Sequence, residues 1–250
     1  MNFDEQLQTF QNLYDSSNRI VFFGGAGVST ESGIPDFRSQ DGLYNQQWDY
    51  PPETIIGRTF FDSNPSEFYR FYRQKLIIKG VQPNITHLTL TKMEQAGKLS
   101  AIVTQNIDGL HQAAGSKNVF ELHGSTLRNF CMKCHRFYDI DFIANSEPCA
   151  ENPKGIPLCT ECGGLVKPDV VLYEEGLNQN VIEGAIDAIA AADSLIIGGT
   201  SLTVYPAAGL IEYFHGTNIV LINKSATNSD SMASLVIHES LGKVFGGLKV

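Results

Sequence analysis

The sequence predicts an α/β protein in which a parallel sheet is covered by helices and a small module is inserted. Three observations carry that expectation. Short apolar runs of strand length alternate with longer stretches of helical spacing. Polar, glycine-rich clusters fall directly after those runs. From about Phe130 to Val166 the rhythm breaks, with paired cysteines, Pro148, Pro153, Pro157 and few periodic apolar residues. At 250 residues the chain has room for one large domain, or for a large one and a small one. A composition of 42% hydrophobic and 18% charged residues excludes collagen-like, coiled-coil and extensively disordered chains.

In chain order, Phe3 to Ser16 has the spacing of an amphipathic helix and leads into the first strand, Arg19 to Phe23. The cluster Gly24-Gly-Ala-Gly-Val-Ser29 follows it. Pro65 to Lys79 and Thr86 to Ala96 are helical in composition, and Leu99 to Val103 is the second strand, followed by Thr104-Gln-Asn-Ile-Asp108. Asn118 to Leu122 is the third, followed by His123-Gly-Ser125. Asn180 to Ala192, with Asn180 as its start signal, precedes the strand Ser194 to Ile197 and the cluster Gly198-Gly-Thr-Ser201. Pro206 opens a further helix to Tyr213, before the strand Asn218 to Ile222, the cluster Asn223-Lys-Ser225 and a last strand, Leu235 to Ile237. The carboxyl ends of the strands form the ligand crevice of an open α/β sheet, so the five clusters are expected to meet at one site. Any one of them could serve only to turn the chain; five in succession make that reading weak.

A net charge of −9 and the absence of a Lys/Arg run argue against a face that grips nucleic acid, which rests on neutralised phosphates. The apolar stretches fall far short of the ~20 residues that span a bilayer. Neither direct nucleic-acid binding nor a membrane is therefore expected. Met1 to Gln6 has neither a basic nor an apolar leader region, and a cytoplasmic location is expected. The five cysteines, Cys131, Cys134, Cys149, Cys159 and Cys162, lie in one segment, and their odd number disfavours a disulfide framework. Cys131-Met-Lys-Cys134 and Cys159-Thr-Glu-Cys162 are two C-x-x-C pairs, 24 residues apart, whose four thiolates can close a tetrahedral zinc site. Four protein ligands leave no open position, so the metal is expected to hold the inserted module together. Cys149 is read as a partly buried cysteine outside the ligand set.

Gly25-Ala-Gly27 after a strand points to backbone amides that approach a phosphate at a helix start, although Thr30 stands where a dinucleotide fingerprint would need its third glycine. The following Glu31-Ser-Gly-Ile-Pro-Asp-Phe-Arg38 is a polar loop built to cover a ligand: Arg38 can pair with phosphate, and Phe37 can shield a reactive centre from water. Asp108, after Gln105 and Asn106, and His123 form the polar pair at strand ends suited to proton or amide chemistry. A lone histidine is more often structural, but His123 sits before Gly124 at the end of an apolar run in the predicted crevice. No G-x-S-x-G, H-E-x-x-H or P-loop lysine motif is present, which counts against a serine hydrolase, a zinc peptidase and an ordinary nucleotidase.

Together these residues resemble the sirtuin family, and among its members the short bacterial NAD-dependent protein deacetylases. The resemblance runs from about Ser17 to Val244 and rests on Gly25 to Arg38, Thr104 to His111, Leu122-His-Gly124, the paired cysteines and Gly199-Thr-Ser-Leu202, in family order. It implies a Rossmann-like parallel sheet with helices on both faces, formed by residues 1–129 and 167–250, and a small inserted zinc-ribbon module at 130–166. It also implies an acyltransferase that moves the acetyl group of acetyl-lysine to ADP-ribose from NAD and releases nicotinamide. By the same resemblance Ala26, Thr30, Phe37 and Arg38 belong to a loop that wraps NAD. Gln105, Asn106, Ile107 and Asp108 form the pocket for the nicotinamide ribose and its amide. Thr200 and Ser201 contact phosphate and ribose, Asn223 contacts adenosine, and His123 is the general base.

Lys167 to Glu175 matches the segment that pairs with the substrate peptide as an added strand, with Val170, Val171, Leu172 and Tyr173 as the contacts. Family members usually have glycine where Glu174 stands, a departure that bears on this loop. Sirtuins that prefer succinyl- or malonyl-lysine carry Tyr-x-x-Arg in the helix lining the acyl pocket; the stretch taken to correspond is Tyr72-Arg-Gln-Lys75. Lysine lacks the bidentate fork of arginine, so acetyl-lysine is the first expectation. A desuccinylase or demalonylase, and a protein ADP-ribosyltransferase, are the alternatives.

Overall fold

The protein is described here by a computed structural model covering residues 1–39, 41–150 and 152–250. Phe3–Ser16 forms α1, opened by a capping box: Asn2 Oδ1 accepts from the Glu5 N–H, and the Glu5 carboxylate accepts from the Asn2 N–H. Ile20–Gly24 (β1) is buried throughout. The chain then makes three short helices, Pro52–Ile55 (α2), Arg58–Ser63 (α3) and Pro65–Phe71 (α4). Ile85–Gln95 (α5) returns it to Leu99–Thr104 (β2), and Leu110–Ala113 (α6) leads to Val119–Glu121 (β3). Gly124–Cys131 (β4), Phe137–Tyr138 (β5), Ile140–Ala144 (α7) and Val166–Val170 (β6) follow. Gln179–Ala190 (α8), Ser194–Gly198 (β7), Asn218–Ile222 (β8), Leu235–Ile237 (β9) and Leu241–Gly247 (α9) complete the chain.

All six expected strands lie in one parallel sheet of order β3-β2-β1-β7-β8-β9. The chain runs outward from β1 in one direction through β2 and β3, and in the other through β7, β8 and β9. The strand order therefore reverses beside β1, where an α/β sheet opens its crevice. Gly24 pairs with both Thr104 and Gly198, and Gly198 pairs with Ile222, so four strands end level and their loops start at one height.

Side chains alternate between the two faces of each strand. Phe22, Ile102, Ile196 and Val220 pack with Phe10, Leu90, Met93 and Phe245 from α1, α5 and α9. Val21, Phe23, Val103, Ile197 and Leu221 pack on the opposite face with Ala185 and Ile189 of α8 and with a 3-10 helix, Ala207–Tyr213. Burial on both faces is why these strands read as unbroken apolar runs. A second, antiparallel sheet has the order β5-β4-β6. Its Tyr138 and Val166 join Phe61, Phe68, Tyr69 and Tyr72 of the α3–α4 region in a third apolar cluster.

Three helical expectations need correction. The stretch 65–79 is helical only to Leu76, because α4 passes into a π-type turn, Tyr72–Leu76, closed by the Ile77 N–H on the Tyr72 carbonyl at 3.1 Å. The cap of α8 is Asn178 rather than Asn180; its side chain accepts from the Asn180 and Val181 amides. The segment after Pro206 is a 3-10 helix. Helices α2, α3, α6 and α7 escape sequence periodicity because each is less than two turns long. Among the described residues no helix is long and apolar enough to cross a membrane.

Beneath β2, His87 of α5 and His111 of α6 are 0% and 1% exposed, with ring centroids 4.8 Å apart. Burial pushes His87 down to about 4, with Asp108 opposing it, and burial followed by the neighbouring His87 pushes His111 down to about 3. Both folded values lie below that of an unfolded imidazole, so the unfolded chain binds the extra protons between about pH 6.5 and these values. Stability from this pair is full above about pH 6.5 and falls as the pH drops. Urea unfolding at pH 7 and pH 5 is expected to show a loss of at least about 2 kcal/mol at the lower pH. The double substitution His87→Gln and His111→Gln should shrink that difference, and an equal difference in both proteins would contradict it.

Candidate active site

The floor of the site is a contact between two glycine turns. After β1 the chain makes two 3-10 turns, Ala26–Val28 and Thr30–Ser32, instead of the expected helix start. The Gly27 N–H donates to the Gly199 carbonyl at 2.8 Å, and the Gly25 N–H to the Gly198 carbonyl at 3.2 Å. A Cβ on Gly199 would lie 2.5 Å from the Val28 nitrogen, and one on Gly27 would lie 2.7 Å from Gly199 Cα. Gly199 also has φ +62°, in the left-handed region. No side chain at either position fits this approach, and a Cβ on Gly25 would likewise lie 2.9 Å from the Gly199 carbonyl oxygen.

Above this floor lies a cavity of about 980 Å³. Its walls include Ala26, Thr30, Phe37, Arg38, Gln105, Asn106, Ile107, Asp108, His123, Thr200, Ser201 and Asn223, and also Val170, Val171, Leu172 and Tyr173. Every expected cofactor and substrate residue thus faces one space.

Hydrogen bonds hold the polar ones. Gln105 Nε2 donates to Thr200 Oγ1 at 3.0 Å, and Asn223 Nδ2 donates to the Thr200 carbonyl at 2.6 Å, joining the ends of β2, β7 and β8. Asn106 Nδ2 donates to Ser29 Oγ at 3.0 Å, and Ser29 Oγ donates to Asp108 Oδ2 at 2.7 Å. Phe37 meets Tyr44 edge-to-face at 5.5 Å, and the Arg38 guanidinium lies 5.6 Å from the Tyr44 ring centre. Among the described residues Arg38 forms no ion pair with a carboxylate, and it lines the cavity.

His123 Nδ1 lies 3.0 Å from the Gln105 carbonyl oxygen. A carbonyl only accepts, so Nδ1 carries the proton and a neutral ring presents Nε2 as a base. Burial lowers the imidazole from its ordinary value, with the Gln105 bond opposing, and this favours that neutral form. The His123 carbonyl accepts from the Val171 N–H at 3.0 Å, so base and substrate edge are fastened by one backbone bond. On the far side of that edge the Tyr173 N–H donates to the Ile56 carbonyl and its own carbonyl accepts from the Arg58 N–H, both at 3.0 Å. Tyr173 Oη bonds Tyr44 Oη at 2.7 Å, linking this edge to the loop carrying Phe37 and Arg38.

Away from the cavity, the sulfurs of Cys131, Cys134, Cys159 and Cys162 all lie within 4.8 Å of one another. The Lys133 and Cys134 amides donate to Cys131 Sγ at 3.4 Å, and Tyr138 Oη donates to Cys159 Sγ at 3.1 Å, as fits metal-bound thiolates. A Cβ on Gly164 would meet Cys131 Sγ at 2.9 Å and Cys162 Sγ at 3.3 Å, so a side chain there would crowd the sulfurs. This set fits a structural zinc. Cys149 is exposed and outside the cluster, contrary to the partial burial expected of it.

A model of the Sir2 family matches residues 25–206. The chain belongs to the Sir2 family. It is 61% identical over 246 residues to an NAD-dependent protein deacetylase of Clostridium perfringens, covering 97% of this chain and 98% of that protein. It is 55% identical over 242 residues to one of Clostridium acetobutylicum, covering 96% of each. Among solved structures it is similar to a Sir2 complex with deacetylated p53 peptide and 3'-O-acetyl ADP-ribose, with TM-score 0.88 and 35% identity over 97% of this chain and 99% of the other. A Sir2 complex with p53 peptide and NAD+ gives TM-score 0.84 and 36% identity, covering 96% and 95%.

In this Sir2 chain some contacts around the cavity lie beyond the sequence reading. Ser29 bridges Asn106 and Asp108, and Asn84 Nδ2 donates to the Val28 carbonyl at 2.8 Å and to Ser32 Oγ at 3.0 Å, tying the cap of α5 to the glycine loop. The signal for Asn84 was its place as a helix cap; its second bond is tertiary. Tyr72 is wholly buried, stacked on Phe68 at 5.5 Å, and does not line the cavity, whereas Lys75 does and donates to Gln46 Oε1 at 2.7 Å. Of the Tyr72–Lys75 pair, only Lys75 lines the cavity.

Cys134→Ser should reduce bound zinc from about one equivalent to well below it and lower the melting temperature. Elemental analysis of the purified protein checks this, and unchanged zinc content would refute the ligand set.

Proposed function

We propose that this chain is an NAD-dependent protein-lysine deacetylase that transfers the acetyl group of acetyl-lysine proteins to ADP-ribose and releases nicotinamide. The observation that carries this reading is the convergence of the sixteen cofactor and substrate residues on one cavity, with His123 Nε2 as its free base. Relatives bearing that name cover nearly the whole chain.

Ala26, Thr30, Phe37 and Arg38 would enclose NAD, with Arg38 neutralising phosphate. Gln105, Asn106, Ile107 and Asp108 would hold the nicotinamide ribose and amide; Thr200 and Ser201 would hold phosphate and ribose, and Asn223 adenosine. NAD would supply a ribose carbon made electrophilic by loss of nicotinamide for the acyl oxygen of the substrate lysine, and one water would be consumed to free the lysine amine. His123 Nε2 accepts a proton from a ribose hydroxyl, as a neutral imidazole can near pH 7. Phe37, packed on Tyr44, keeps competing water from the reacting centre. The substrate peptide adds as a strand along Val170, Val171, Leu172 and Tyr173.

We assign residues 130–166 to a zinc module on an NAD-binding domain formed by 1–129 and 167–250. Free thiolate ligands suit a reducing compartment, in keeping with a cytoplasmic location.

An acetyl-lysine peptide incubated with the protein, with and without NAD, tests the activity by mass spectrometry. Deacetylated peptide, nicotinamide and O-acetyl-ADP-ribose are expected only with NAD; a peptide that stays acetylated would overturn the reading. His123→Ala should lower turnover by about 10²–10⁴-fold with zinc content and melting temperature kept, because it removes the base alone. Retained turnover would refute its role.

A further inference from the structure

The loop that follows β6 contains an unusual backbone position. Glu174 has φ +75°, in the left-handed region that L-residues with a long side chain rarely occupy. Its exposed carboxylate turns to Thr59. Oε2 accepts from the Thr59 N–H at 2.9 Å and from Thr59 Oγ1 at 2.7 Å, near the start of α3. These two bonds hold the carboxyl below its usual range, Thr59 Oγ1 contributing most, and so it stays ionised at neutral pH.

Three neighbouring features are built around this contact. A Cβ on Gly57 would lie 3.1 Å from the Thr54 carbonyl oxygen and 3.3 Å from Glu174 Oε1, so the carboxylate packs closely on the turn before α3. Tyr173 bridges to Gly57 in parallel through Ile56 and Arg58. Glu175 pairs with Arg58 at 2.9 Å and with Lys167 at 3.1 Å, and its carboxylate accepts from the Leu172 N–H at 2.9 Å. Glu174 thus closes a row of fastenings between α3 and the edge formed by residues 170–173.

We propose that Glu174 is a positioning residue for the acyl-peptide substrate: its bonds to Thr59 clamp the substrate-binding edge to α3 and preset the backbone on which the peptide adds as a strand. This rests on the deacetylase reading above. An edge held in place before binding loses less conformational freedom when the peptide docks, so the clamp acts on peptide affinity and not on bond breaking. Glu174 lines the same cavity as His123 but makes no hydrogen bond to it among the described residues.

Two variants separate the clamp from the strained backbone. Glu174→Asn keeps a residue that tolerates left-handed φ but is one methylene too short for Thr59; Glu174→Gln keeps the length and an acceptor oxygen. Steady-state kinetics with an acetyl-lysine peptide should show the peptide KM raised about fivefold or more by Glu174→Asn, with kcat and the KM for NAD within about twofold and Glu174→Gln nearer the parent protein. Hydrogen exchange of residues 170–176 in the substrate-free protein should be faster in Glu174→Asn. An unchanged peptide KM, or a fall in kcat with KM unchanged, overturns the proposal. If the parent protein itself deacetylates no peptide, the deacetylase reading fails, and the exchange measurement still decides whether the clamp exists: equal exchange rates overturn it.

Discussion

The site depends on the close approach of Gly27 and Gly199. Two loops leave the carboxyl ends of adjacent parallel strands, β1 and β7, and touch through backbone alone, with the Gly27 N–H on the Gly199 carbonyl at 2.8 Å. A methyl group at either position would collide with the opposite main chain. Because the strand order reverses beside β1, the loops after β1 and β2 and those after β7 and β8 rise around this contact and enclose the cavity. The level strand ends then bring Gln105, Thr200 and Asn223 within hydrogen-bonding distance, so amide side chains from separate strands brace one another.

The two metal and reaction centres have different work. The four cysteines lie outside the cavity walls, and a closed sulfur set has no position for a substrate. Their sheet nevertheless reaches the cavity, because β4 begins directly after His123 and β6 ends at Val170, both of which line it. The apolar cluster joining Tyr138 and Val166 to Phe61, Phe68 and Tyr69 holds that sheet against α3 and α4. A metal held by these sulfurs would stabilise the frame that carries His123 and residues 170–173. The edge is fastened on three sides, by Val171 to His123, by Tyr173 to Ile56 and Arg58, and by the Tyr173 hydroxyl to Tyr44.

The chemistry of His123 follows from an acceptor that cannot donate. The Gln105 carbonyl fixes the proton on Nδ1, and partial burial keeps the ring neutral. The buried pair His87 and His111 is also neutral, yet it has no access to the cavity and contributes to the packing of α5 and α6 beneath β2. Three histidines thus share a protonation state for one physical reason and differ in function by whether a ring nitrogen reaches the cavity.

The six parallel strands were legible in the sequence because burial on both faces demands uninterrupted apolar runs, and the site residues were legible because strand-end clusters must meet in an open α/β sheet. The cysteine pairs were legible because spacing within each knuckle is local. Helices of one turn, the cap at Asn178 and the π-type turn after Phe71 were not, since none leaves a periodic pattern long enough to read. Nor could local pattern show that Tyr72 is buried against Phe68, that Cys149 is exposed, that Asn84 reaches Val28, or that Glu174 turns to Thr59. Periodicity and residues close in the chain were enough to read the six strands, the cysteine pairs and the strand-end clusters, whereas Val170 to Tyr173 were legible only through the family resemblance. Only the tertiary structure decided which side chains hold which, because those contacts join segments up to more than a hundred residues apart and exist only once the sheet has set their distance.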